Sequence, residues 1–124
     1  MPDMRILVVD DQPRARRSLK ALLAAWDPQH EVREARNGEE AIQMVEKETP
    51  GLVLMDVRMP KVNGLEATRI LKRRFPQLKV ILLSMYPDSR EDALVAGADA
   101  FVSKSDPPDV LRKVMEAVIR PDRD

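Results

Sequence analysis

Arg5-Ile6-Leu7-Val8-Val9-Asp10-Asp11 is a short apolar, β-branched run that stops at two acids. Such a run, with no polar alternation, reads as a strand buried on both faces. Immediately after it the spacing changes. From Pro13, a residue suited to a first helical turn, Ala15, Leu19, Leu22, Leu23 and Trp26 fall at helical intervals. Arg14, Arg16, Arg17 and Lys20 are expected on the opposite, solvated face, and Asp27-Pro28 ends the helix.

The same strand-then-helix rhythm recurs outward from this unit. Glu31 to Ala35 is a weaker strand, polar enough for a sheet edge. Asn37-Gly38 opens a helix carrying Ala41, Ile42 and Val45, which Thr49-Pro50 closes. Leu52 to Met55 is a third strand running into Asp56. A loop from Val57 to Asn63 leads to Gly64 and a helix with Leu65, Ile70 and Leu71, whose basic end is Lys72-Arg73-Arg74. Val80 to Leu83 is a fourth strand ending at Ser84. Asp88 or Ser89 is placed to cap a short helix through Ala96, with Gly97 as its stop. Ala100-Phe101-Val102 is a fifth strand ending near Lys104, and Pro107-Pro108 starts a last helix bearing Val110, Leu111, Val114, Val118 and Ile119.

Strands alternating with helices imply parallel βαβ units with right-handed crossovers and helices on both sheet faces. The fold class is therefore α/β: one doubly wound, five-stranded parallel sheet, flavodoxin-like (βα)5, with strand order 2-1-3-4-5. One domain is expected over residues 1–119, with 120–124 as a C-terminal tail or the start of a linker. The length of 124 residues and the apolar fraction of 44% suit a single core.

Composition narrows the chemistry. Twenty-one Lys and Arg balance 21 Asp and Glu, so a dedicated nucleic-acid binder is not expected. The absence of Cys excludes disulfides, thiolate nucleophiles and Cys-ligated zinc, and the lone His30, read as a surface turn residue, excludes a multi-His metal site. No run approaches the ~20 apolar residues of a membrane span. The N-terminus lacks the form of a signal peptide, and a cytoplasmic location is expected. Any metal must be held by oxygen.

In a sheet of this order, ligands lie beyond the carboxyl ends of the strands, at the switch between strands 1 and 3. There the sequence puts Asp10-Asp11, Asp56, Ser84 and Ser103-Lys104. Three crowded carboxylates require a raised pKa, a cation, or both. Lys104 can offset one charge, and Mg²⁺, which prefers oxygen ligands, can offset the rest.

These residues resemble response-regulator receiver domains. The matching pieces are Leu7-Val8-Val9-Asp10-Asp11, Leu54-Met55-Asp56-Val57-Arg58-Met59-Pro60, Asn63-Gly64, Leu82-Leu83-Ser84 and Gly97 to Lys104. The resemblance covers Arg5 to Ile119, and the Gly97–Pro108 segment is similar to the NarL/FixJ-type subgroup. It implies a two-component phosphoprotein rather than a conventional enzyme. The implied function is a phosphoacceptor switch with weak autophosphorylation from small donors and weak autodephosphorylation. Asp56 would take a phosphoryl group from a sensor histidine kinase. Asp11, Asp56 and the Arg58 carbonyl would ligate Mg²⁺ (or Mn²⁺), with Asp10 acting through water. Lys104 and Ser84 would contact phosphoryl oxygens, and Phe101 would be the aromatic switch. Arg58 and Tyr86 would tune phosphate lifetime.

The implied output is transcription through a DNA-binding domain. A stand-alone receiver acting by protein contact or in a phosphorelay is the alternative. A homodimer would use helix 1 and helix 5, or helix 4, strand 5 and helix 5. Departures from the family pattern are Ser105 after Lys104, where many members have a cis-linked Pro, Phe101 for Tyr, and Ser84 for Thr. The Lys104–Ser105 geometry is left open, since a cis bond before a non-proline residue costs about 2.5–4 kcal/mol. Two other classes fit less well. A haloacid-dehalogenase-type phosphohydrolase would carry D-x-D on its first strand and a cap domain. A flavodoxin-like FMN binder would have a Ser/Thr/Gly-rich loop where this chain is acidic.

Overall fold

A computed structural model describes residues 4–119. The expected tail at 120–124 lies outside the described residues. Strands and helices alternate as β1 (Arg5–Val9), α1 (Pro13–Trp26), β2 (Glu31–Ala35), α2 (Gly38–Lys47), β3 (Leu52–Asp56), α3 (Gly64–Arg74), β4 (Lys79–Ser84), α4 (Arg90–Val95), β5 (Ala100–Ser103) and α5 (Pro108–Ile119). All neighbouring strands are parallel, and their order is β2-β1-β3-β4-β5, as expected.

Side chains of a strand alternate between the two faces of the sheet, and both faces here are apolar. Leu7, Val9, Val53, Met55, Val80, Leu82 and Phe101 share one core with Ala41 and Val45 of α2, Ala67 and Leu71 of α3, and Ala93 of α4. Ile6, Val8, Leu52, Leu54, Ile81, Leu83 and Val102 share the other with Leu23 of α1 and Leu111 and Met115 of α5. At about 1.5–3 kcal/mol for each fully buried aliphatic side chain, these two layers supply the main drive to fold. β2, at the edge, alternates exposed and half-buried residues from Glu31 to Glu34 and ends at the buried Ala35.

Two Asn-Gly pairs start α2 and α3. The Asn37 side chain accepts from the Glu40 N–H at 2.8 Å, and Asn63 from the Glu66 N–H at 2.9 Å. Glycine follows for a steric reason: a Cβ on Gly64 would lie 2.2 Å from the Asp56 carbonyl oxygen, and one on Gly38 would lie 2.4 Å from that of Val62. The Gly64 N–H donates to the Val57 carbonyl at 2.8 Å, so α3 begins directly against the strand end that carries Asp56.

Several local expectations need correction. Neither Asp88 nor Ser89 caps α4 with its side chain. The chain enters α4 through a 3-10 turn, Pro87–Ser89, in which the Ser89 N–H donates to the Tyr86 carbonyl at 3.0 Å. Gly97 does stop α4, at φ +103, with the Ala98 N–H on Ala93 and the Gly97 N–H on Leu94. This is a Schellman arrangement, which needs the left-handed conformation that glycine adopts freely. His30 is half-buried rather than a plain surface residue, and its Nδ1 is shielded without a hydrogen-bond partner among the described residues. No peptide bond among the described residues is cis, so Lys104–Ser105 is trans.

Candidate functional site

Parallel pairing brings the carboxyl ends of β1, β3, β4 and β5 to one rim. Asp10 and Asp11 follow β1, Asp56 ends β3, Ser84 ends β4 and Lys104 follows β5. One carboxylate oxygen from each of Asp10, Asp11 and Asp56 lies within 4.8 Å of the others. Lys104 Nζ donates to Asp10 Oδ2 at 2.8 Å and stands 3.4 Å from Asp56 Oδ1. One ammonium thus faces three carboxylates.

The three acids are not equivalent. Asp10 is 5% exposed, and its acceptors are engaged: Oδ2 by Lys104, Oδ1 by the Gln12 N–H at 3.0 Å, and the carbonyl by Arg16 Nη1 at 2.8 Å. Asp11 has no side-chain hydrogen bond or ion pair among the described residues. Burial raises the Asp56 pKa above the ordinary value. Lys104 pulls it down, the charges of Asp10 and Asp11 push it up, and the net shift is upward. For Lys104 burial alone would lower the pKa, but its hydrogen bond to Asp10 and the Asp56 charge outweigh burial and raise it.

An open cleft above the acids is lined by Asp11, Gln12, Asp56, Arg58, Ser84, Tyr86 and Lys104 among others. Ser84 is buried, and its hydroxyl accepts the Tyr86 N–H at 2.9 Å, so it pins the start of the β4–α4 loop. The Lys104 N–H donates to the Ser84 carbonyl at 2.8 Å, tying that loop to β5. The Arg58 guanidinium lies 3.9 Å from the centre of the Tyr86 ring, so the two exposed residues form one stacked unit at the cleft mouth. Phe101 does not line the cleft. It is 4% exposed, within the α2–α4 core, and the Arg90 guanidinium covers its ring at 5.0 Å.

The donor set fits a hard divalent cation. All three groups are carboxylates, their oxygens converge, and the single lysine leaves them undercompensated. Each Asp10 oxygen already accepts one hydrogen bond from the protein, whereas the Asp11 carboxylate accepts none among the described residues, so Asp11 has the greater capacity for an ion.

Arg16 was missed by sequence reasoning, which placed it on the solvated face of α1. Only 12% of its side chain is exposed, and besides the Asp10 carbonyl it holds Glu34 Oε1 at 3.0 Å. A signal existed. Glu34 follows Val32 at a two-residue interval on the edge strand, so it shares the face that α1 covers, and an acid there calls for a basic partner on α1.

Residues 6–116 match the family model of the response regulator receiver domain. The chain is 46% identical over 119 residues to the transcriptional activator protein ExaE of Pseudomonas putida, covering 94% of this chain and 54% of that protein. It is 38% identical over 118 residues to the transcriptional regulatory protein DegU of Brevibacillus brevis, covering 93% and 50%. The chain therefore spans about half the length of these curated relatives. It is also similar to the response regulator TrrA of Thermotoga maritima, solved with Mg²⁺ and a beryllofluoride group. The TM-score there is 0.86 and the identity 36%, over 93% of this chain and 98% of that one. With the acidic rim, the parallel sheet order and these matches in agreement, the chain belongs to the response regulator receiver domain family.

Proposed function

We propose that Asp56 is the phosphoacceptor of a two-component switch and that the donor is a phosphohistidine on a sensor kinase. The observation that carries this is the setting of the Asp56 carboxylate. It stands at an open strand end, 3.4 Å from Lys104 Nζ, with two more carboxylates within 4.8 Å. One Asp56 oxygen attacks phosphorus, an O–P bond forms, and the bond from phosphorus to the donor's imidazole nitrogen breaks. Lys104, already beside both Asp10 and Asp56, offers its ammonium to a phosphoryl oxygen. Ser84 keeps a hydroxyl hydrogen for another, since in the present state its oxygen serves as an acceptor for Tyr86. Asp11, Asp56 and the Arg58 carbonyl would hold Mg²⁺ or Mn²⁺, with Asp10 acting through water and orienting Lys104. When bound, the ion neutralises charge on the transferring group.

When Ser84 turns toward the phosphoryl group, its bond to Tyr86 is lost and the β4–α4 loop is freed to shift. Phe101, now under Arg90, can then fill the space that Ser84 vacates. The signal emerges on α4, β5 and α5. The exposed Leu94 and Val95, at 51% and 75%, are available there to an attached domain or a second copy. The relatives named above support transcriptional control as the output of the whole protein. Among the described residues no helix is long and apolar enough to cross a membrane.

Incubation with acetyl phosphate and Mg²⁺, followed by intact mass measurement, tests the assignment. Wild type should gain one phosphoryl group, and Asp56→Asn should gain none at that site. EDTA should stop the reaction. Labelling of the Asn variant at the wild-type rate would remove Asp56 from this role. Turnover of many donors per chain without a stable adduct would favour a phosphohydrolase instead.

A further inference from the structure

The turn that carries Asp10 and Asp11 leaves the sheet abruptly. The Asp10 N–H still bonds the Ala35 carbonyl at 3.2 Å, but its own carbonyl meets no backbone donor among the described residues. A buried carbonyl without a donor is costly, and here the donor is Arg16 Nη1 at 2.8 Å. The other side of the same guanidinium is held by Glu34 Oε1 at 3.0 Å. Glu34 sits on β2 opposite Val8, so the planar fork spans from the edge strand to the end of β1. The Gln12 N–H closes the turn on Asp10 Oδ1 at 3.0 Å. Asp11 therefore projects from between two pinned residues.

We infer that Arg16, oriented by Glu34, is a positioning residue for the acidic site: it fixes the β1–α1 turn so that Asp11 stands opposite Asp56 in the geometry a divalent cation needs. This rests on the metal-assisted reading above and deepens it. Arg16 touches the Asp10 carbonyl and none of the three carboxylates. Its charge is largely answered by Glu34, so its effect is geometric. Lysine cannot substitute, because one ammonium at the end of a flexible stem does not span both acceptors as a rigid fork does. Lys20, also near Glu34 at 3.6 Å, does not reach the turn and serves as a charge control.

The test compares Arg16→Lys, Arg16→Met, Glu34→Gln and Lys20→Met with wild type. Mg²⁺ alone is titrated while the amide resonances of Asp11 and Asp56 are followed. Acetyl phosphate labelling against Mg²⁺ then separates half-saturation from the maximal rate, and thermal unfolding in EDTA checks the fold. Both Arg16 variants should weaken Mg²⁺ binding by about 10- to 100-fold, as loss of a partner that orients a ligand does, with the maximal rate at saturating Mg²⁺ little changed. Glu34→Gln should shift affinity in the same direction by less, and Lys20→Met should not. Mg²⁺ affinity within about twofold of wild type in a folded Arg16 variant would overturn the inference. So would a lost maximal rate with affinity intact. If both Arg16 variants fail to fold, an unshifted Glu34→Gln overturns it. A wild-type chain that binds no Mg²⁺ removes the functional reading and this inference together, a result distinct from normal binding in wild type and variants alike.

Discussion

Asp11→Asn should make the metal-free protein more stable. Its carboxylate has no cationic partner among the described residues, yet its oxygen lies within 4.8 Å of those of Asp10 and Asp56. Two unit charges at that separation repel by about 3.5 kcal/mol at an effective dielectric of ~20, and about 0.9 kcal/mol in bulk water. Asp11 is half-exposed, so solvent screens much of this repulsion. The net gain should therefore fall near the lower figure, about 1 kcal/mol. In a domain of this size that raises Tm by roughly 3–6 °C. Mg²⁺ reverses the balance. At ten times its dissociation constant it stabilises wild type by about 1.4 kcal/mol, which the variant forgoes. Thermal unfolding in EDTA and in excess Mg²⁺ reads both effects. An unchanged or lower Tm for Asp11→Asn in EDTA would show that carboxylate repulsion is not stored at this rim. An equal Mg²⁺ increment in both proteins would show that Asp11 does not hold the ion.

Gly64→Ala should destabilise by about 1–3 kcal/mol, because its Cβ would fall 2.2 Å from the Asp56 carbonyl oxygen. It should also slow acetyl phosphate labelling by displacing Asp56; denaturant unfolding and intact mass measurement check the two parts. Arg58→Ala and Tyr86→Ala should each change the lifetime of the phosphorylated form, and the double variant should match either single one, since the stacked pair acts as a unit. Additive effects in a double-mutant cycle would separate them. Lys104 titrates above its ordinary value of 10.5, so the stability it supplies is full below that pH and is lost as pH rises through the folded-state value. Lys104→Met should flatten this alkaline fall. Asp56 runs in the same pH direction but from the other charge state: its raised pKa means that its ionised form costs stability above the folded-state value, and acid relieves that cost. Asp56→Asn should remove the corresponding rise in Tm on mild acidification.

Strand and helix identities were legible in the sequence because they rest on near neighbours. Unbroken runs such as Ile6–Val9 and Leu52–Met55 admit little but a two-sided buried strand, and Pro13, Asn37-Gly38, Asn63-Gly64 and Gly97 mark helix ends within a few residues. The sheet order followed, since right-handed crossovers leave few ways to arrange such units. The positions of Asp10, Asp11, Asp56, Ser84 and Lys104 at strand ends came with that order. What each side chain does there depends on distances between residues far apart in sequence. The pattern of residues alone would not divide the acids into an Asp10 bonded through both oxygens and an Asp11 with no partner among the described residues. Nor would it turn the Ser84 hydroxyl to Tyr86, stack Arg58 on Tyr86, or lay Arg90 over Phe101. Arg16 shows the division most plainly. By helical phase it belongs with the solvated basic residues of α1, but the docking of α1 beside an edge strand turns it inward to Glu34 and the Asp10 carbonyl. Periodicity reports which face of one element is apolar. Only the packing of elements against one another decides which polar groups are left to meet between them, and a buried donor and acceptor that meet are held there by the cost of leaving either unpaired.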